Sequence, residues 1–79
     1  MIKFKIDVFD ALQRARFNTY KAKTSKLLSQ DTLTKLKNND TNISMKSLNN
    51  ICLILDMDIK DLVIFEATEE EKNILKSLK

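Results

Sequence analysis

Apolar residues recur along this chain in short bursts at helical spacing, and a small polar residue opens most of them. Val8, Ala11, Leu12 and Ala15 fall three and four apart, with Phe9 beside them and Asp7 in front. That spacing predicts a helix capped by Asp7 and running to about Arg16. Asn18 can cap a second, short helix from Thr19 to about Ser25, after which Leu27 and Leu28 interrupt the polar pattern and turn inward. Ser29 caps a third helix, Gln30 to about Lys37, with Leu33 and Leu36 on its buried side. Residues 38–42, NNDTN, read as a polar loop.

The second half repeats the scheme. Ser44 opens a helix in which Leu48, Ile51, Cys52 and Leu55 stand at i, i+3, i+4 and i+7, the cleanest amphipathic pattern in the chain. Asp56-Met57-Asp58 breaks it, and Asp58 can cap a short helix through Leu62. Val63-Ile64-Phe65 fits either the end of that helix or a strand. Thr68 with Glu71 three positions on is a capping box, which opens a last helix to about Lys79 carrying Ile74, Leu75 and Leu78. Ile2, Phe4 and Ile6 alternate with charged residues, so the N-terminus can form a short strand paired with residues 63–65.

The fold class that follows is all-α: a compact bundle of five short helices plus a C-terminal helix, with room for a short N-terminal strand. Composition agrees. The chain has 79 residues with no Gly and no Pro. Hairpin-rich folds need the positive-φ turns that Gly supplies, so helices joined through Asn, Asp and Ser caps fit better. One small domain is expected at residues 1–65, followed by a C-terminal extension at 66–79 for dimerisation or partner binding. A core this thin makes dimerisation a natural supplement.

Charge adds a polarity. Net charge is +3, but residues 1–39 hold nine Lys or Arg against three Asp, and residues 40–79 hold five Lys against eight Asp or Glu. A basic half attracts phosphate and speeds encounter with nucleic acid. Other chemistry is sparse. There is no His, no Gly-rich phosphate loop and a single Cys52, so catalysis, a cofactor and a metal site are not expected. Cys52 reads as a small buried hydrophobe, and Asp56 and Asp58 as caps rather than an acid–base pair. No apolar run approaches the roughly 18 residues of a membrane span. With no hydrophobic leader at Met1–Lys5, the expected location is cytoplasmic.

Residues 18–38, NTYKAKTSKLLSQDTLTKLKN, are two short helical patterns joined by a tight break, the second opening at a Ser. That is the shape of a helix-turn-helix, which lays its second helix in the DNA major groove. With TYKAKTSKLLSQDTLTKLKNN followed by NISMKSLNNICLILDMDIKDLVIF, the chain resembles the Cro/CI-type, or XRE-type, helix-turn-helix family over about residues 6–65. The resemblance implies a five-helix bundle whose second and third helices form the motif. Two positions depart from the family pattern. Lys23 stands where the family has a small Ala, with Ala22 just before it. Leu27 stands where the turn has a Gly, which moves the bend toward Lys26.

On the third helix, Gln30, Asp31, Thr34 and Lys35 share one face and are the candidate base contacts. Gln30 suits a bidentate contact with adenine, and Asp31 can accept from cytosine N4. The resemblance implies main base contacts at Gln30, Asp31 and Lys35. Candidate phosphate contacts are Asn18, Thr19, Lys21, Lys23, Lys37 and Asn38, with Thr32 facing either a phosphate or the second helix. Tyr20 either stacks on the sugar-phosphate edge or packs against the third helix. Ile64, Phe65, Ile74, Leu75 and Leu78 are candidates for a dimer or partner surface, unless the last helix folds back on its own bundle. Glu66, Glu69, Glu70 and Glu71 keep that end away from phosphate.

The expected function is a sequence-specific, DNA-binding transcriptional regulator, a repressor working as a homodimer on double-stranded DNA without a cofactor or a membrane. Its size resembles that of phage or mobile-element regulators. The alternative is an antitoxin or adaptor that engages a protein partner through the C-terminal helix.

Overall fold

A chain without glycine has to end its helices on other residues, and that shapes the whole fold. The computed structural model describes residues 1–78. In order, the elements are β1 (Ile2–Phe4), α1 (Val8–Arg14), α2 (Thr19–Ser25), α3 (Gln30–Lys37), α4 (Met45–Leu55), α5 (Ile59–Leu62), β2 (Val63–Phe65) and α6 (Glu69–Ser77). The six polar residues expected to cap helices all do so: Asp7, Asn18, Ser29, Ser44, Asp58 and Thr68 each accept a backbone N–H with the side chain.

The helix ends explain where expectation and structure part. Arg16, Lys26, Asn39 and Asp56 all have positive φ, between 52° and 60°. After α1, the Arg16 N–H donates to the Gln13 carbonyl and the Phe17 N–H to the Leu12 carbonyl, both at 2.9 Å. This is a Schellman closure. It stops α1 at Arg14, two residues short of the expected Arg16, and turns the chain so that Phe17 is buried. Ala15, read as part of the apolar stripe, is exposed as a result. Asn39 after α3 and Asp56 after α4 close in the same way, through Asp40 N–H to Lys35 and Met57 N–H to Cys52. The last helix ends at Ser77 with Leu78 as its cap. Lys79, taken as its end, lies outside the described residues.

Lys26 and Arg16 are less suited than Asn39 and Asp56, because neither a short polar side chain nor a missing Cβ relieves their left-handed backbone. The strain costs on the order of 1 kcal/mol for a residue with a Cβ. Lys26→Gly is therefore expected to raise the melting temperature by about 4–8 °C. Thermal unfolding followed by circular dichroism measures this, and a fall would show that the Lys26 side chain matters more than its backbone.

The core is formed by Val8 and Leu12 of α1, Phe17, Ala22 of α2, Leu28, Leu33 and Leu36 of α3, Ile51 of α4 and Leu62 of α5. α1 packs on α3 and α4, α2 on α3, and α5 on α4. Of the amphipathic stripe on α4, Ile51 is fully buried, while Leu48, Cys52 and Leu55 are half-buried against the core. The N-terminal strand forms: β1 pairs antiparallel with β2, Ile2 opposite Phe65 and Phe4 opposite Val63. Residues 63–65 are thus strand, not helix end.

α6 stands apart from this bundle. None of its residues is buried, and the protein measures 49 × 22 × 19 Å rather than being equant. Its first turn is tied to the sheet. The capping box closes between Thr68 and Glu71, and the Met1 ammonium donates to Glu71 Oε1 at 2.6 Å and to the Glu66 carbonyl at 2.6 Å. The Met1 ammonium, and then the Thr68 backbone N–H, hold the Glu71 carboxyl down to about 2 from its ordinary 4.5. The last helix therefore does not fold back on the bundle.

Candidate nucleic-acid interface

α2 and α3 meet across the turn Lys26-Leu27-Leu28, and each part of that turn has a physical cause. The Lys26 N–H closes α2 by donating to the Ala22 carbonyl at 3.0 Å. Ala22 is the small buried residue of α2, and Lys23 beside it is exposed. Both the small residue and the left-handed bend thus sit one position earlier than the family pattern would place them, with the bend at Lys26 as read. Leu28 then drops into the core, and Leu27 is half-buried against it.

A residue that the sequence reading passed over locks this geometry. Asn50 of α4 is buried, and its Nδ2 donates to the Leu27 carbonyl at 2.9 Å. The bond spans 23 residues of sequence and ties the turn of the motif to the supporting helix. The available signal was weak: Asn50 lies beside Ile51 and four before Ile54, on the margin of the apolar stripe. Nothing in the sequence names a carbonyl as its partner.

α3 is aimed by its own cap. Ser29 Oγ accepts from the Thr32 N–H at 3.1 Å and lies 2.9 Å from Thr32 Oγ1. Thr32, Leu33 and Leu36 are buried, so the opposite side of α3 is forced outward. Gln30, Asp31, Thr34 and Lys37 are exposed there. Thr32, one of the candidate phosphate contacts, is on the buried side with its hydroxyl held by Ser29. The geometry gives it to the helix cap.

Lys35 is half-buried at the edge of the exposed face. Its Nζ lies 3.3 Å from Asp31 Oδ2 and donates to the Asn42 carbonyl at 3.1 Å, so it braces the loop after α3 as well as pairing with Asp31. Thr34 Oγ1 donates back to the Gln30 carbonyl at 3.0 Å. Among the four candidate base contacts, Gln30 and Asp31 are the ones at the open N-terminal end of the helix.

Thr19, Lys21, Lys23 and Asn38 are exposed around this face. An open groove between α2 and α3 is lined by Thr19, Lys23, Lys26 and Gln30. The Asn18 Oδ1 accepts from the Lys21 N–H at 2.9 Å, so Asn18 serves first as the cap of α2. Tyr20 is 73 % exposed. The face is polar and basic, and its groups are donors and acceptors suited to base edges and phosphates.

The comparison with known families decides what this motif is. The family model for the Cro/C1-type HTH DNA-binding domain matches residues 12–68. The chain belongs to that family. Neither a curated protein nor a solved structure matches it. The matched span runs from Leu12 in α1 through β2 to Thr68, so it holds the whole motif together with α4 and α5. As a Cro/C1-type domain, the chain is a DNA-binding protein, with α3 as the second helix of its helix-turn-helix. No helix among the described residues is long and apolar enough to cross a membrane.

The remaining candidates lie at the far end from α3 in sequence. Ile64, Phe65, Ile74, Leu75 and Leu78 are all exposed. Ile2, which the sequence reading placed only in a strand, is exposed beside Phe65 as its cross-strand partner.

Proposed function

We propose that this protein is a sequence-specific transcriptional repressor, acting in the cytoplasm by inserting α3 into the major groove of an operator. One observation carries the reading. α3 buries Thr32, Leu33 and Leu36 and so presents Gln30, Asp31 and Thr34 outward, in the basic half of the chain. Gln30 and Asp31 read base edges, with Thr34 and Lys35 one turn on. Thr19, Lys21, Lys23, Lys37 and Asn38 flank the backbone, with Asn18 at the start of α2.

A single small module buries roughly 600–1,000 Å² on DNA, which limits its affinity. Two copies on a pseudo-palindrome raise it. The homodimer uses residues 66–79 together with Ile64 and Phe65, an end whose acidic residues keep it off the phosphates. The exposed α6 also suits a second reading, an antitoxin or adaptor whose C-terminal helix holds a protein partner.

Selection of bound sequences from random duplex DNA tests the main reading, and an absence of any preferred sequence at moderate salt overturns it. Half-site spacing in the selected sites reports the symmetry. Against the selected site, Gln30→Ala is expected to cost about 1–3 kcal/mol and to relax one base preference. Lys37→Ala is expected instead to weaken all sequences alike and to reduce the salt slope by roughly one. Equal effects on specificity would overturn this division of contacts.

A further inference from the structure

Lys35 stands on α3 one turn after Asp31, yet its ammonium is already engaged. Its Nζ lies 3.3 Å from Asp31 Oδ2 and donates to the Asn42 carbonyl at 3.1 Å. The Lys35 side chain is 32 % exposed, against 78 % for Asp31. Moving the ammonium out to a base edge would give up both bonds and take this donor from the Asn42 carbonyl.

The carbonyl that holds Lys35 is itself fixed. The Asn42 N–H donates to Asp40 Oδ1 at 2.9 Å, which closes the loop on itself. The Asp40 N–H donates to the Lys35 carbonyl at 2.8 Å, so the loop grips Lys35 by its backbone as well as its side chain. Thr41 Oγ1 donates to the Ile2 carbonyl at 3.3 Å and attaches the same loop to β1. An exposed ion pair four residues apart holds little by itself, because ordering two side chains offsets the attraction. Here one partner is held beforehand, so less entropy is lost when the other joins it.

This bears on what Asp31 can read. An ionised carboxylate only accepts hydrogen bonds, so on a base edge it takes an exocyclic amino group and rejects the oxygens of guanine and thymine. Adenine sets its amino group beside N7, an acceptor that opposes the carboxylate, whereas the cytosine edge offers N4 without one. Phosphates around the groove repel the same negative charge. A lysine fixed beside the carboxylate offsets that repulsion and keeps it in one orientation.

We propose that Lys35 is a positioning residue: held by the Asn42 carbonyl, it sets the Asp31 carboxylate to select cytosine at one operator position and reads no base of its own. This rests on the reading of α3 as the base-reading helix given above, and narrows the part of Lys35 in it.

The test uses the full chain and duplex DNA. Sequences bound by the native protein are selected first, and Asp31→Ala identifies the base position that Asp31 serves. Lys35→Met is expected to lower the preference for cytosine at that same position about tenfold. Adding Lys35→Met to Asp31→Ala is expected to change the preference there no further. Lys35→Arg keeps the charge and the donors, and is expected to retain most of the preference. Thermal melts confirm that each variant folds. A preference lost at a different base position would show that Lys35 reads a base directly. A uniform loss across sequences with a smaller salt slope would make it a phosphate contact. Either result overturns the inference, as does an unchanged preference in Lys35→Met or a site in which Asp31→Ala affects no cytosine. In each of these cases the repressor reading stands. A native protein that selects no sequence overturns that reading as well.

Discussion

Asn50→Asp is expected to destabilise the protein by about 3 kcal/mol at pH 7 and to weaken operator binding beyond that loss. The exchange keeps the size of the side chain and reverses its role. Asn50 Nδ2 is a donor 2.9 Å from the Leu27 carbonyl, and an ionised carboxylate there only accepts. Two acceptors then face each other in a buried position. Asn50→Ala is expected to cost less, about 1–3 kcal/mol, because it leaves the carbonyl unpaired without adding a charge. A protonated carboxyl can donate, so the gap between Asn50→Asp and the native protein should narrow as pH falls. Denaturant unfolding at several pH values measures it. A pH-independent gap would show that the bond to Leu27 is not what Asn50 contributes. The binding loss arises because Leu27 sits in the turn, and a free turn lets α3 change its angle to α2.

Leu36→Ala is expected to cost about 2–5 kcal/mol, the range for truncating a fully buried leucine. A domain of this length has on the order of 4–12 kcal/mol in total, so the variant is expected to melt about 10 °C lower or more. Leu36 has no exposed surface and belongs to the helix that carries Gln30 and Asp31. Leu78→Ala is the contrast. Leu78 is exposed, and its truncation in the monomer should change stability by no more than about 0.5 kcal/mol. Thermal melts of the two variants, compared at low concentration, check the pair. Equal losses would mean that α6 is packed into the bundle rather than standing off it.

The elements that could be read residue by residue were those set by local chemistry. A side-chain oxygen that accepts a backbone N–H two or three residues on needs nothing distant, and so Asn18, Ser29, Asp58 and the Thr68–Glu71 box mark their helices at the expected positions. The end of α1 was misread for the opposite reason. Its length depends on where Phe17 finds the core, and Arg16 is bent into a left-handed conformation to bring it there. The face of α3 was legible from the spacing of Leu33 and Leu36. The burial of Thr32 and the bracing of Lys35 against Asn42 were not, since each depends on a neighbour that spacing does not place.

By itself, then, the sequence determined the helices, their caps, the motif at residues 18–38 and the charge split that separates a basic half from an acidic end. These follow from period, capping chemistry and composition, all of them local or additive. The tertiary structure alone decided three things. It set Asn50 against the turn of the motif, fixed the register that puts Ile2 opposite Phe65, and left α6 outside the core. Each joins residues distant in sequence. Their contact is chosen by the packing of Val8, Leu12, Leu36, Ile51 and Leu62 into one interior, and not by any preference of the residues that meet.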